Sequence, residues 1–442
     1  MSTKSKIYKN SPKKIYIRTF GCQMNERDSE WMLGHLLSCG WETADNPQNA
    51  SLAIINTCSV RYHAEHKAFS LLGFLRKIKN ENGLKIVLTG CTADAYKEKL
   101  LKDFPYLDGV FGPAEEKELI ERIDELFSSN KSMLSVGKQT GIKCFNSGSD
   151  YRKEKITAFV SIMEGCDNFC SYCIVPYVRG RERSRETNDI LDEIHALKEK
   201  GYKEVMLLGQ NVNSYGVGNK NGFIKLLEEV NAIGIERIRF MTSHPKDINL
   251  DLLKAMKDLE HVCEHLHLPL QSGSDKILRL MNRKYILSDY LKLVNNYRKI
   301  IPSGSITTDI IVGFPGESTK DFKRTLFALN QIKFDSAFIF KYSPRPNTAA
   351  NGFVDDVGRK EKEARNLIAL SIQKEISFRK KMKWIDKNLE VLLERKDSEG
   401  FYKGRSSQNF TVHAKGSALE GVVKNVRINE ARINSLRGEI IE

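Results

Sequence analysis

The chain has 442 residues, of which 40% are apolar and 29% charged, with a formal net charge of +14. That length exceeds one ordinary core and predicts two or three domains of a soluble globular protein. The basic excess favours a polyanionic partner such as nucleic acid, or else serves only solubility. The first fourteen residues are polar and lysine-rich, which argues against a secretory signal. No stretch approaches the roughly eighteen apolar residues of a membrane span, so no membrane partner and a cytoplasmic location are expected. Nine cysteines in a reducing compartment point to metal or redox work rather than disulfides.

After a basic tail at 1–13, residues 15–21, 52–57 and 84–90 read as short apolar strands, with helices at 28–38 and 65–80 between them. That alternation predicts a Rossmann-like parallel sheet domain over 14–140, in an α/β protein. Each strand runs into a cysteine: Cys22, Cys58 and Cys91, with 35 and 32 residues between them. In an open parallel sheet, residues just past the strand ends share one edge, where ligands bind. These thiols are therefore candidates for one metal centre, although a buried cysteine also serves simply as a small hydrophobe. Gly21 and Gly90 precede two of them and allow the chain to turn. His63 and His66 near Cys58 are expected at the surface.

A polar linker is expected at 141–155. Strands at 156–164, 203–209, 236–242, 263–270, 305–313 and 334–342 then alternate with helices at 186–200, 222–232, 249–259, 286–300, 318–331 and 357–383. Six such units predict a partial (β/α)6 barrel over 156–378, with functional loops at the C-terminal ends of its strands. The first of these loops holds Cys166, Cys170 and Cys173 in C-x3-C-x2-C spacing. Three thiolates from one loop suit an iron–sulfur cluster, and a four-iron cubane so held keeps one iron open to another ligand. A closed zinc site wants four ligands, and no fourth Cys or His lies within ten residues of the loop. Cys39, Cys144 and Cys263 have no partners in spacing and are expected to be structural.

Arg179, Arg181, Arg183 and Arg185 follow the loop within seven residues. Such a run is usually a solvated face. Beside a reactive centre it also suits phosphate, so these four are candidate RNA contacts. From residue 379 the texture changes to short alternating runs punctuated by glycine, with fourteen Lys or Arg against nine Asp or Glu. This predicts a small, basic, antiparallel β-barrel over 379–442, of a kind that often binds nucleic acid.

The chain resembles the methylthiotransferase family of radical S-adenosylmethionine enzymes over nearly its whole length. The resemblance rests on Thr19-Phe-Gly-Cys-Gln-Met-Asn25, Asn56-Thr-Cys58, Thr89-Gly-Cys91, the Cys166 loop, Pro176-Tyr-Val-Arg-Gly-Arg-Glu-Arg-Ser-Arg185, Leu268-Pro-Leu-Gln-Ser-Gly-Ser274, residues 309–317 and Tyr342-Ser-Pro-Arg-Pro346. The last motif departs slightly, with Asn347 where the family often has glycine. The terminal barrel is similar to the TRAM domain, an RNA-binding module. Gly21-Cys-Gln-Met-Asn25 with Asp28-Ser-Glu30 is similar to the branch that modifies isopentenyladenosine next to the tRNA anticodon.

The resemblance implies two [4Fe-4S] clusters, one on Cys166, Cys170 and Cys173 and one on Cys22, Cys58 and Cys91, together with S-adenosylmethionine and methylthiolation of the base at C2. It implies a low-potential electron donor and a tRNA anticodon stem-loop as partners of a monomer. Tyr172, Gln210 and Gln271 are candidate contacts to the cofactor: an aromatic face for its adenine and amides for its polar groups. Two rival readings stay open at this point. One is a sister enzyme acting on threonylcarbamoyladenosine or a ribosomal-protein aspartate, and the other is a non-catalytic iron–sulfur RNA-binding protein.

Overall fold

The computed structural model describes residues 13–137, 151–216, 218 and 221–441. The basic tail up to residue 12, most of the expected linker and Cys144 lie outside the described residues.

Six parallel strands open the chain: β1 (Lys14–Phe20), β2 (Glu42–Thr43), β3 (Leu52–Thr57), β4 (Lys85–Thr89), β5 (Gly109–Phe111) and β6 (Met133–Ser135), in the order β2-β1-β3-β4-β5-β6. Every residue of β3 is buried, as expected for a strand covered on both faces. Its alternate residues feed opposite layers. Ile54 joins Trp31, Met32 and Leu36 on one side, while Ile55 joins Leu72, Leu75 and Leu88 on the other. Helix α1 (Gln23–Ser38) follows β1, α2 (Tyr62–Asn82) follows β3, and α3 (Cys91–Tyr96) follows β4. The chain leaves β1 toward β2 and returns to β3 on the other side. That reversal makes the β1/β3 edge the switch point of a doubly wound sheet, the flavodoxin-like of its two common orders.

The next six long-range strands form two parallel three-stranded sheets. One is β11-β10-β7, from β7 (Thr157–Ser161), β10 (Glu204–Leu208) and β11 (Arg237–Phe240). The other is β12-β13-β14, from β12 (His265–His267), β13 (Ser305–Val312) and β14 (Ser336–Lys341). A parallel bridge from Ile238 to Val262 joins them into one curved, unclosed barrel wall. β12 is shorter than the sequence suggests, because Pro269 has no amide to continue the ladder and Gln271 turns left-handed at φ 69°. Between β7 and β10, the short pair β8 (Met163–Glu164) and β9 (Arg183–Ser184) frames the Cys166 loop. Val205, Leu207, Ile238 and Phe240 point outward into the layer of helices. Their neighbours Met206 and Met241 face inward, so the period of two separates a helix-packed outer face from a lumen.

The chain ends in a closed barrel of β15 (Asn388–Lys396), β16 (Tyr402–Ser406), β17 (Thr411–Lys415), β18 (Val423–Ala431) and β19 (Leu436–Ile441). Four of its ladders are antiparallel, but β17 and β19 pair in parallel. Five strands cannot alternate direction around a ring, so one parallel pair is forced. This barrel docks on the N-terminal ends of the larger barrel's strands. The Arg239 guanidinium donates to the Ser406 carbonyl at 2.6 Å and the Ser407 carbonyl at 3.0 Å, and Ser305 Oγ donates to the Gln408 carbonyl at 2.6 Å.

Candidate metal centres and lumen

The three N-terminal cysteines meet at the switch point. Cys22 caps α1, with its amide and thiol both directed at Asn25 Oδ1 at 3.3 Å. Asn25 is held in turn by Asn56 at the end of β3, through Nδ2 to Oδ1 at 3.0 Å. Cys58 continues β3 by donating its amide to the Phe20 carbonyl at 2.9 Å. Gly21 is required for space rather than for a turn, because a Cβ there would lie 2.4 Å from Asn25 Oδ1 and 2.9 Å from Cys58 Cβ. Gly90, at φ 91°, supplies the turn into Cys91. The Cys22 and Cys58 thiols hydrogen-bond each other, which lowers the pKa of Cys22 and raises that of Cys58. Burial raises the Cys91 thiol against the nearby charge of Arg179.

Arg179 ties this trio to the barrel domain. Its guanidinium donates to Asp28 of α1 at 2.6 Å and hydrogen-bonds Cys91. Burial works against the charge, but Asp28, Cys91 and Glu164 together hold it protonated. The reading of Arg179 and Arg185 as RNA contacts is thereby corrected. Arg185 is also buried, donating to Glu193 at 2.7 Å and to the Ser161 carbonyl at 2.6 Å. Buried carboxylates claim both guanidiniums, Asp28 from the N-terminal domain and Glu193 from the helix that follows Arg185. Arg183 is half-buried and faces Glu164 at 3.7 Å. Arg181 stays exposed, over the Phe169 ring and 3.0 Å from Asp167.

The second trio is fixed by distant segments. Asn282 Nδ2 donates to the Phe169 carbonyl at 2.8 Å, and Ser171 bonds to the carbonyls of Leu280 and Met281. Arg283, which the spacing of the sequence gave no reason to single out, is buried and donates to Cys170 Sγ at 3.4 Å and to the Pro269 carbonyl at 3.1 Å. Burial raises the Cys166 and Cys173 thiols, and the neighbouring Cys170 adds to the effect. His244, next to Tyr285, is pushed down to about 2, first by burial and then by Arg283, and stays neutral.

Tyr172 packs beside Ile277, Met281, Phe314 and Tyr342. Gln210 Oε1 and Gln271 Oε1 are buried and have no hydrogen-bond partner among the described residues. Unmet buried acceptors at strand ends are what a polar ligand would satisfy. Among the described residues, no three His, Cys, Asp or Glu side chains surround a single-ion position. Thiolates around one zinc crowd to about 2.3 Å from it. A cubane instead gives each thiolate its own iron and needs a wider triangle. Two sets of three thiols, each with a buried guanidinium beside a sulfur, fit anionic iron–sulfur clusters.

Comparison with known proteins agrees with this arrangement. Residues 160–329 match the Radical SAM superfamily, and residues 14–112 match "Uncharacterized protein family UPF0004". The chain is 47% identical over 429 residues to the tRNA-2-methylthio-N(6)-dimethylallyladenosine synthase of Thermodesulfovibrio yellowstonii, covering 97% of this chain and 98% of that protein. It is 45% identical to the protein of the same name from Clostridium novyi, with 97% of each covered. Among solved structures, a radical S-adenosylmethionine methyltransferase from Kitasatospora setae shares the fold at TM-score 0.56 and 13% identity, over 77% of each chain. Identity of 47% and 45% over 97% of the chain places it in the radical S-adenosylmethionine superfamily and, within it, in the family of tRNA-2-methylthio-N(6)-dimethylallyladenosine synthases.

Proposed function

We propose that this protein adds a methylthio group to C2 of N6-dimethylallyladenosine beside the tRNA anticodon. The observation that carries the reading is the pair of three-thiol sites, linked by Arg179 and Asp28, at the C-terminal ends of two parallel sheets. Cys166, Cys170 and Cys173 would hold one [4Fe-4S] cluster, and Cys22, Cys58 and Cys91 the other. Bound clusters and S-adenosylmethionine supply one-electron chemistry and sulfur for a C–H bond that no side-chain base can activate.

The chain's own residues bind, orient and enclose. Arg283 and Arg179 neutralise thiolate charge in a buried setting. Gln210 and Gln271 offer amides to the cofactor's polar groups, and Tyr172 a ring to its adenine. Helix α1 presents Cys22 toward the lumen, where Gln23 lines the cavity. Arg181, Arg183 and the basic terminal barrel would meet the phosphates of the stem-loop. The units 14–140, 156–378 and 379–442 are the frame of this proposal, in a cytoplasmic monomer served by a low-potential electron donor. Among the described residues, no helix is long and apolar enough to cross a membrane.

Anaerobic reconstitution should load about eight irons per chain if each trio holds one cubane. Replacing Cys22, Cys58 and Cys91 by Ala should halve the iron, abolish thiolation of a prenylated anticodon stem-loop and leave reductive cleavage of S-adenosylmethionine. Loss of cleavage in that variant would contradict the division of labour between the trios. An intact protein that thiolates no tRNA would refute the reading.

A further inference from the structure

A cavity of about 1070 Å³ lies inside the partial barrel. Its end nearest the docked terminal barrel is polar, lined by Glu204, Arg405 and Gln408. Its other end reaches Gln23, the residue after Cys22. Between them the strands turn Phe159, Met206 and Phe338 inward, joined by Met241 just past the end of β11. This apolar waist runs on without a break into a cluster in which Met24 and Leu208 are buried with Met206 and the Cys22 side chain packs against them. The cavity's lysines come from outside the strands of the larger barrel: Lys153 and Lys155 precede β7, Lys374 and Lys381 lie on the helix Arg359–Met382, and Lys403 lies on β16 of the terminal barrel.

We propose that this methionine–phenylalanine waist binds the branched five-carbon tail on N6 of the target adenine, so that Met206 and Met241 distinguish a prenylated base from an unprenylated one. The inference rests on the function proposed above and deepens it. C2 and C6, the carbon that bears N6, flank the same ring nitrogen of adenine. A base that offers C2 to a sulfur source held by Cys22 therefore carries its N6 substituent into the surroundings of Cys22. In this chain the side of Cys22 that faces the lumen is apolar, formed by Met24, Met206 and Leu208. A five-carbon alkenyl tail forms no hydrogen bond, so burial is the only means of recognising it. Methionine suits an irregular branched shape because its thioether side chain is unbranched, flexible and polarizable. The cavity also exceeds the roughly 300–1,000 Å³ of a typical ligand pocket, which leaves room for the base and its tail beside the cofactor.

The test measures the affinity of the reconstituted enzyme for two anticodon stem-loops, identical except for adenosine or N6-dimethylallyladenosine at the target position. The wild type should prefer the prenylated form by about tenfold or more, the discrimination an apolar pocket gives. Met206→Gln and, independently, Met241→Gln should cut that preference to about twofold, with affinity for the unprenylated stem-loop changed less than about twofold. Met206→Leu should restore the preference. Iron content at the wild-type level establishes that each variant is folded. Met241, only partly buried, carries the test if Met206→Gln loses iron. A preference that survives in folded glutamine variants overturns the inference while leaving the function intact. A wild type that fails to thiolate the prenylated stem-loop overturns both.

Discussion

Asp94 lies in α3, three residues after Cys91, and its carboxylate accepts the Gly137 amide at 2.5 Å. Burial pushes its pKa up to about 6, against the opposing pull of that hydrogen bond and of Lys97 and Arg179. A carboxyl group whose pKa rises on folding favours the protonated folded state. Its contribution to stability is complete below the ordinary aspartate value and is lost as the pH rises through about 6. Asp94→Asn should therefore be more stable than the wild type at about pH 8, by on the order of 1–2 kcal/mol, with the gap closing toward about pH 5. Urea midpoints at the two pH values check the sign. A gap that widens in acid would refute it.

Helix α1 concentrates several tasks in two turns. Cys22 caps it, Met24 enters the apolar cluster beside the lumen, Asn25 organises the cysteine turn, and Asp28 grips Arg179 of the other domain. Gly21→Ala at the β1–α1 junction should force Asn25 and Cys58 apart. Reconstituted iron should then fall from about eight toward about four per chain, while the signal of the Cys166 cluster persists.

The alternation of apolar residues made the main strands and helices legible in the sequence, and three strand–cysteine junctions in a row pointed to the switch-point trio. Strands β5 and β6, and the helix Asp275–Leu280, are too short for any period to show. The burial of Arg179 was not legible because its partner is remote. Asp28 stands 151 positions from Arg179, and no local pattern announces a carboxylate arriving from another domain. Arg283 was invisible for the same reason, being 113 positions from Cys170.

At the scale of the molecule, the terminal barrel is a structural floor as well as a basic surface. Arg239 is buried between Glu204, at 2.6 Å, and the carbonyls of the β16–β17 turn. Arg239→Ala would strand the buried Glu204 carboxylate, at a cost of about 3–5 kcal/mol. Arg237→Ala should cost less, because its partner Glu390 keeps 63% of its side-chain surface in solvent. Thermal unfolding of the two variants should rank them in that order, and equal midpoints would argue against a load-sharing floor at Arg239.

Because the segment from Asn388 to Ile441 is made after the strands it seals, the ribosome releases an open-bottomed barrel first. Until that segment has folded and docked, the end of the lumen that Arg405 and Gln408 line stays open to water.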